Sequence, residues 1–140
     1  MNIHQVLFLG DNCDTAALWL AGLHELHRAY SITIAYRQSL STHAATTFDL
    51  ILIEVEPSTM QGALETCRRL RARTTTPILF VSALDDEEYA LEAYAAGANE
   101  YIVKPISVQI LHAKIEAWRR WIVPTMQQVS LPAQDVVEVI

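Results

Sequence analysis

The segment FDLILIEVEPSTMQG, residues 48–62, contains a short aliphatic run that ends on an acid, Glu54, with a second acid, Glu56, two residues later. Pro57 and Gly62 then interrupt the run. A continuous aliphatic run of this length is typical of a strand covered on both faces, as the strands of parallel sheets are. The carboxyl ends of such strands line the ligand crevice of open α/β sheets. The segment therefore predicts a parallel sheet with Glu54 at the edge where a ligand would bind.

The same alternation of aliphatic runs and helical spacing recurs along the chain. The predicted strands are residues 5–10, 31–36, 49–55, 76–83 and 100–105. The predicted helices are residues 14–30, 60–74, 85–99 and 107–123, with a weak, short helix at 39–48. Asp14 is the predicted N-cap of the first helix, and Gly97 the predicted stop of the helix at 85–99. This order of elements predicts one doubly wound α/β domain.

The end of the sequence departs from this repeat. Residues 122–140 contain two prolines and several polar residues, which is typical of a linker. We therefore assign residues 1–121 to the domain and residues 122–140 to a tail or to the start of a linker.

Composition excludes several classes of function. Of the 140 residues 51% are hydrophobic and 19% are charged, which predicts a folded core. The net charge of −6 disfavours nucleic-acid binding by this segment, so the basic runs at 68–73 and 119–121 are interpreted as solvated helix ends. No apolar run has the length of a membrane span, and the first residues do not form a secretory signal. Cys13 and Cys67 form no paired motif, which favours reduced thiols in a cytoplasm.

Polar side chains stand where the predicted strands end. Gly10 and Asp11 close the first strand, Glu54 the third, Ser82 the fourth and Lys104 the fifth. In a parallel sheet these ends converge, so one crevice would hold two carboxylates, a hydroxyl and an ammonium group. Two nearby acids repel unless a cation lies between them. Either Lys104 or Mg²⁺ could supply that cation.

Four segments carry a more specific resemblance. From about residue 6 to residue 121 the sequence resembles the receiver domain of two-component response regulators, a signalling module and not an enzyme. The segments are VLFLGDN (6–12), DLILIEVEPSTMQG (49–62), PILFVSA (77–83) and GANEYIVKPI (97–106). The resemblance implies a flavodoxin-like (βα)5 fold with a five-stranded parallel sheet in the order 2-1-3-4-5. It also implies a histidine kinase as partner.

The resemblance assigns roles to individual positions. Glu54 stands where the family has its phosphoacceptor aspartate, and Asp11 is the remaining acid of the pair that helps to hold Mg²⁺. Ser82 and Lys104 would contact the phosphoryl group, and Tyr101 matches the switch aromatic.

Three departures from the family pattern affect the phosphorylation chemistry. Glu54 is one methylene longer than aspartate, Gly10 replaces the first acid of the pair, and Pro57 follows the acceptor position by three residues instead of four. Phosphoryl transfer requires accurate placement of nucleophile and metal. A weak Mg²⁺ site could still use Asp11, Glu54 and the carbonyl or side chain of Glu56, although no cofactor is the simpler expectation.

Three hypotheses follow. The first is a degenerate receiver that phosphorylation does not switch, in which a Glu54–Lys104 contact imitates part of the phosphorylated state. The second is a working Mg²⁺-dependent phosphoacceptor that uses Glu54. The third is an unrelated nucleotide or flavin binder, but residues 9–17, LGDNCDTAA, contain neither a GxGxxG motif nor a P-loop.

The predicted partner surface lies at the end of the domain. Residues 104–121, KPISVQILHAKIEAWRRW, resemble the last helix of the receivers of winged-helix transcription factors, which implies a homodimer through the last two helices and the strand between them. Glu100 and Lys114 stand where that class has charged partners, whereas Ile110 replaces the usual acid. The tail would then lead to a DNA-binding domain or end a stand-alone receiver.

The histidines give no clear metal motif. Of the five, His24 and His27 share a helix face at i, i+3, but no third ligand is evident in the sequence. They are interpreted as surface residues.

Overall fold

The computed structural model describes residues 4–11, 16–38 and 47–121. Within these ranges the elements follow one another as β1 His4–Gly10, α1 Ala16–Leu26, β2 Tyr30–Tyr36, β3 Leu50–Val55, α2 Met60–Arg71, β4 Ile78–Ser82, α3 Glu87–Ala96, β5 Glu100–Val103 and α4 Val108–Trp121. A single 3₁₀ turn, Pro57–Thr59, leads into α2. The predicted N-cap Asp14, residues 39–46 of the weak predicted helix and the tail at 122–140 lie outside the described residues.

The strands form one parallel sheet in the order β2-β1-β3-β4-β5. This confirms the predicted α/β fold and its strand order. Every residue of β3 and β4 is buried. These two strands read as continuous aliphatic runs because helices cover both of their faces.

Alternating side chains of the strands enter two separate cores. On one face, Leu7 and Leu9 of β1 belong to the cluster that contains Met60 and Leu64 of α2. On the other face, Val6 and Phe8 of β1 belong to the cluster that includes side chains of α1 and α4, among them Leu20, Leu23, Leu111 and Ile115. Helices therefore lie on both sides of the sheet, as a doubly wound domain requires.

Two helices end differently from one another. Helix α1 stops at Leu26, four residues before the predicted end, because Tyr30 already pairs in β2. Helix α3 ends as predicted at Gly97, whose φ of 114° lies in the left-handed region that favours glycine.

None of the helices in the described ranges has the length and apolar composition of a membrane span.

The basic run at the end of α2 is not wholly solvated, which corrects the interpretation made from the sequence. Arg71 is partly buried and donates hydrogen bonds to the carbonyl oxygens of Thr74, Thr76 and Gly97 and to Oδ1 of Asn99, at 2.7–3.0 Å. Burial lowers the pKa of this guanidinium group. Arg71 therefore ties the end of α2 to the segments that precede β4 and β5.

Candidate functional site

The sheet register places the predicted polar residues at one edge. Val55 of β3 pairs with Ser82 of β4, and Ser82 pairs with Val103 of β5, directly before Lys104. Glu54 therefore reaches this edge from β3. Asp11 follows β1, the neighbour of β3 on its other side. Polar residues at the carboxyl ends of four strands thus lie along one edge of the sheet.

The predicted contact between Glu54 and Lys104 is present. Lys104 Nζ lies 2.7 Å from Glu54 Oε2, within hydrogen-bond distance. The side chain of Glu54 is only 9% exposed, whereas that of Lys104 is 36% exposed. The pair joins the end of β3 to the end of β5 across the intervening strand β4. The peptide bond between Lys104 and Pro105 is cis.

Asp11 has a different cation as its partner. The guanidinium group of Arg37 donates to both carboxylate oxygens of Asp11, at 2.9 and 3.3 Å, and Gln38 Nε2 donates to Oδ1 at 3.0 Å. Arg37 follows β2, and its backbone N–H donates to the carbonyl of Gly10 at 2.9 Å. A Cβ atom added at Gly62 would lie 2.6 Å from Arg37 Nη2, so the guanidinium group covers the first turn of α2.

Sequence reasoning missed Arg37. The signal was available, because the arginine directly follows the second strand and parallel strand ends meet at one edge.

Glu56 is the N-cap residue of the 3₁₀ turn and is exposed. Its carbonyl oxygen accepts hydrogen bonds from the N–H and from Oγ1 of Thr59, at 3.0 and 3.2 Å. A carbonyl oxygen has two lone pairs, so this turn uses the acceptor capacity that a metal ion would need.

The described residues do not fit a Mg²⁺ ion, which requires near-octahedral oxygen ligands. Arg37 binds Asp11, Lys104 binds Glu54, and the Glu56 carbonyl is engaged within its turn. Gly10 contributes no carboxylate. The carboxylates of Asp11 and Glu54 and the carbonyl of Glu56 therefore already have partners, and two of those partners are cations that repel a metal ion.

Ser82 and Tyr101 are both directed to the segment that follows β4. Ser82 is fully buried, and its Oγ accepts a hydrogen bond from the N–H of Leu84 at 3.0 Å. The hydroxyl of Tyr101 donates to the carbonyl of Leu84 at 2.7 Å. Burial raises the pKa of Tyr101, and a hydrogen bond with Ser82 partly offsets the effect. The predicted switch aromatic is therefore turned inward and fixed to this segment.

The residues of the predicted dimer surface make contacts within the chain. Lys114 of α4 forms an ion pair with Glu100 of β5, and Trp118 Nε1 donates to Glu100 Oε1 at 2.8 Å. Apolar side chains nearby remain in solvent: Leu91 of α3 is 60% exposed and Ile110 of α4 is 53% exposed.

Comparisons with known proteins agree with the fold described above. The family model described as "Response regulator receiver domain" matches residues 12–116. The nisin biosynthesis regulatory protein NisR of Lactococcus lactis is 35% identical over 119 residues, which are 82% of this chain and 50% of that protein. The response regulator ArlR of Staphylococcus aureus is 28% identical over 137 residues, 96% of this chain and 57% of that protein. The chain thus spans about half the length of these curated relatives.

Solved structures show the same fold. A two-component response regulator from Clostridium difficile superposes with a TM-score of 0.68 at 26% identity, covering 89% of this chain and 99% of that chain.

Proposed function

Because the chain belongs to the response regulator receiver domain family, we propose that it is a regulatory and dimerisation module of two-component signal transduction that works without phosphorylation. The observation that carries this function is the ion pair between Lys104 and the buried carboxylate of Glu54. In the family, the matching lysine contacts the phosphoryl group. Glutamate delivers a negative charge to that lysine permanently, through a charge-assisted hydrogen bond. The pocket would then keep one conformation.

The surroundings of Glu54 support the loss of phosphoacceptor chemistry. Lys104 Nζ engages Oε2 of Glu54 at 2.7 Å, and the additional methylene of glutamate displaces the carboxylate from the place of the family's aspartate, whereas in-line attack requires accurate placement of the nucleophile. The guanidinium group of Arg37 neutralises Asp11, the acid that would help to hold Mg²⁺. A positive charge is thus already present, but it cannot bridge the phosphoryl oxygens as a metal ion does.

A phosphodonor assay tests this function. Acetyl phosphate with Mg²⁺ is expected to leave Glu54 unmodified, as measured by intact-mass spectrometry and by peptide mapping. Beryllofluoride with Mg²⁺ is expected to leave the amide NMR spectrum unchanged. Ready, metal-dependent modification of Glu54 would instead favour the working phosphoacceptor.

Matched variants make the assay sharper. The triple variant Gly10→Asp, Arg37→Ala, Glu54→Asp restores both acids and removes the resident cation, so it is expected to accept the phosphoryl group. The double variant that retains Arg37 is expected to react more slowly, because the guanidinium group still competes with Mg²⁺ for Asp11. Equal rates for the double and triple variants would contradict the role given to Arg37.

We further propose the partners of this module. Exposed apolar side chains on α3 and α4, including Leu91 and Ile110, favour a homodimer through the surface formed by α3, β5 and α4. The greater length of the curated relatives favours a receiver, residues 1–121, that is joined by a linker at 122–140 to a DNA-binding output domain of a transcription regulator. A cytoplasmic location follows from that function.

A further inference from the structure

A cluster of three metal-ligand side chains lies between the end of α1 and helix α4, and the sequence analysis did not find it. His27 directly follows α1, and His112 and Glu116 stand at i, i+4 on α4. One ligand atom from each of the three residues lies within 4.8 Å of the other two. The rings of His27 and His112 are 5.0 Å apart between centroids. His24 is not part of this group, and helix α4 supplies two ligands beside His27, with His112 lying 85 residues further along the chain.

His112 gives a second observation that points to a ligand at this place. Its Nε2 atom is buried and finds no hydrogen-bond partner among the described residues. A buried polar atom without a partner is unfavourable, and native structures rarely keep one without a reason. The Nε2 lone pair of a neutral imidazole is a common metal ligand, so a bound cation would satisfy this atom.

Glu116 is oriented by a neighbouring hydroxyl group. Tyr30, the first residue of β2, donates a hydrogen bond from its hydroxyl to Glu116 Oε2 at 2.6 Å. Tyr30 itself is 1% exposed and therefore held in place by the core. Hydrogen bonds of this kind fix the carboxylate ligands of metal sites.

We propose that His27, His112 and Glu116 bind a divalent transition metal ion, with Zn²⁺ as the best fit. Two imidazoles and one carboxylate are a common zinc ligand set, with water in the fourth position. Zinc bonds of about 2.0–2.2 Å place ligand atoms roughly 3.5 Å apart, so the side chains must close by only about 1 Å. Magnesium is disfavoured because it prefers oxygen ligands.

This site is separate from the pocket around Glu54. Tyr30 begins β2 and pairs with His4, whereas Glu54 lies near the other end of its strand, level with the end of β1. Six strand residues, about 20 Å, separate the two levels. The result of a zinc-binding experiment is therefore independent of the result of the phosphodonor assay.

Metal titration of the untagged protein, first stripped with a chelator, tests the site. Isothermal calorimetry with Zn²⁺ is expected to show one ion per chain, and bound Co²⁺ is expected to give the visible absorption of a tetrahedral complex. Excess Mg²⁺ should not displace the zinc. Absence of zinc binding, or displacement by magnesium, overturns the site.

Variants identify the ligands. His27→Ala and His112→Ala are each expected to weaken zinc binding at least 100-fold, and Tyr30→Phe by about 10-fold, since it removes only the orienting hydrogen bond. Two controls, His24→Ala and Glu54→Gln, are expected to bind zinc as the unchanged protein does. Circular dichroism checks that each variant is folded. Full affinity in His27→Ala or His112→Ala overturns the assignment, as does loss of binding in Glu54→Gln.

Discussion

Replacing Lys104 by methionine would leave the carboxylate of Glu54 buried without its cation. Methionine keeps most of the aliphatic length of lysine, so the change removes the charge and little packing. The free energy of unfolding is expected to fall, because a buried charge without a partner carries its full desolvation cost.

The size of the effect follows from the geometry. At 2.7 Å and an effective dielectric constant of about 20, the attraction between the two charges is about 6 kcal/mol. Desolvation of Glu54 offsets most of it, and water screens Lys104, which is 36% exposed. Exposed pairs contribute about 0.2–1 kcal/mol, and removing one partner of a fully buried pair costs about 3–5 kcal/mol. A loss of about 1–3 kcal/mol is expected for this intermediate case.

Urea unfolding of a double-mutant cycle measures the pair itself. The cycle compares the unchanged protein with Lys104→Met, with Glu54→Gln and with the double variant. A coupling energy of about 1–2 kcal/mol is expected. The matched control is the cycle of Arg69 and Glu65, an i, i+4 pair on α2 whose side chains are 68% and 60% exposed. Its coupling is expected to be only about 0.3–0.5 kcal/mol.

Equal coupling in the two cycles would refute the reasoning. It would mean that the Glu54–Lys104 pair is no stronger than an ordinary surface pair. Such a pair would be too weak to hold the pocket in one conformation.

Three further predictions concern other parts of the molecule. Gly97→Ala should lower the free energy of unfolding, measured in urea, by about 1–3 kcal/mol, because φ is positive and the added Cβ would lie 2.8 Å from an arginine side chain. Gly22→Ala, within helix α1, should raise the free energy of unfolding by about 0.5–1 kcal/mol. Burial raises the pKa of Cys67 to about 11, so peptide-resolved mass spectrometry should find slow alkylation in the folded protein and fast alkylation in urea. The unfolded thiol loses its proton near pH 9 and the folded thiol near pH 11, so the free energy of unfolding should fall as the pH rises through this window, by on the order of 2 kcal/mol. The fall should be smaller in Cys67→Ala, which has no thiol at this position. Ile110→Glu should shift light-scattering masses from dimer to monomer, whereas Leu26→Glu, at the end of α1 and outside the proposed surface, should not. A dimer that survives Ile110→Glu contradicts the proposed surface.

Much of the fold could be predicted because its signals are local. Continuous aliphatic runs such as residues 50–55 mark doubly covered strands, and Gly97 marks a helix end by its left-handed backbone. The Glu54–Lys104 contact could also be anticipated, since parallel strands bring their carboxyl ends to one edge.

The features that could not be predicted depend on how elements pack. The cluster of His27, His112 and Glu116 exists because α1 and α4 lie side by side at one particular rotation, and helical spacing does not determine that rotation. The buried role of Arg71 likewise depends on carbonyl groups from two other segments, those that precede β4 and β5. Charge alone made this arginine resemble a solvated helix end.

The bidentate contact between Arg37 and Asp11 has an evolutionary consequence. On the proposed function, recovery of a metal-binding pocket would need an acid at position 10 and a shorter acid at position 54, and loss of the guanidinium group at position 37 would strengthen metal binding further. No single one of these changes would restore metal binding. Loss of Arg37 alone would leave the carboxylate of Asp11 without its cation and would add no metal ligand. If the proposed function holds, a return to control by phosphorylation would therefore take several substitutions together, which would favour descendants of this chain that keep the present pocket.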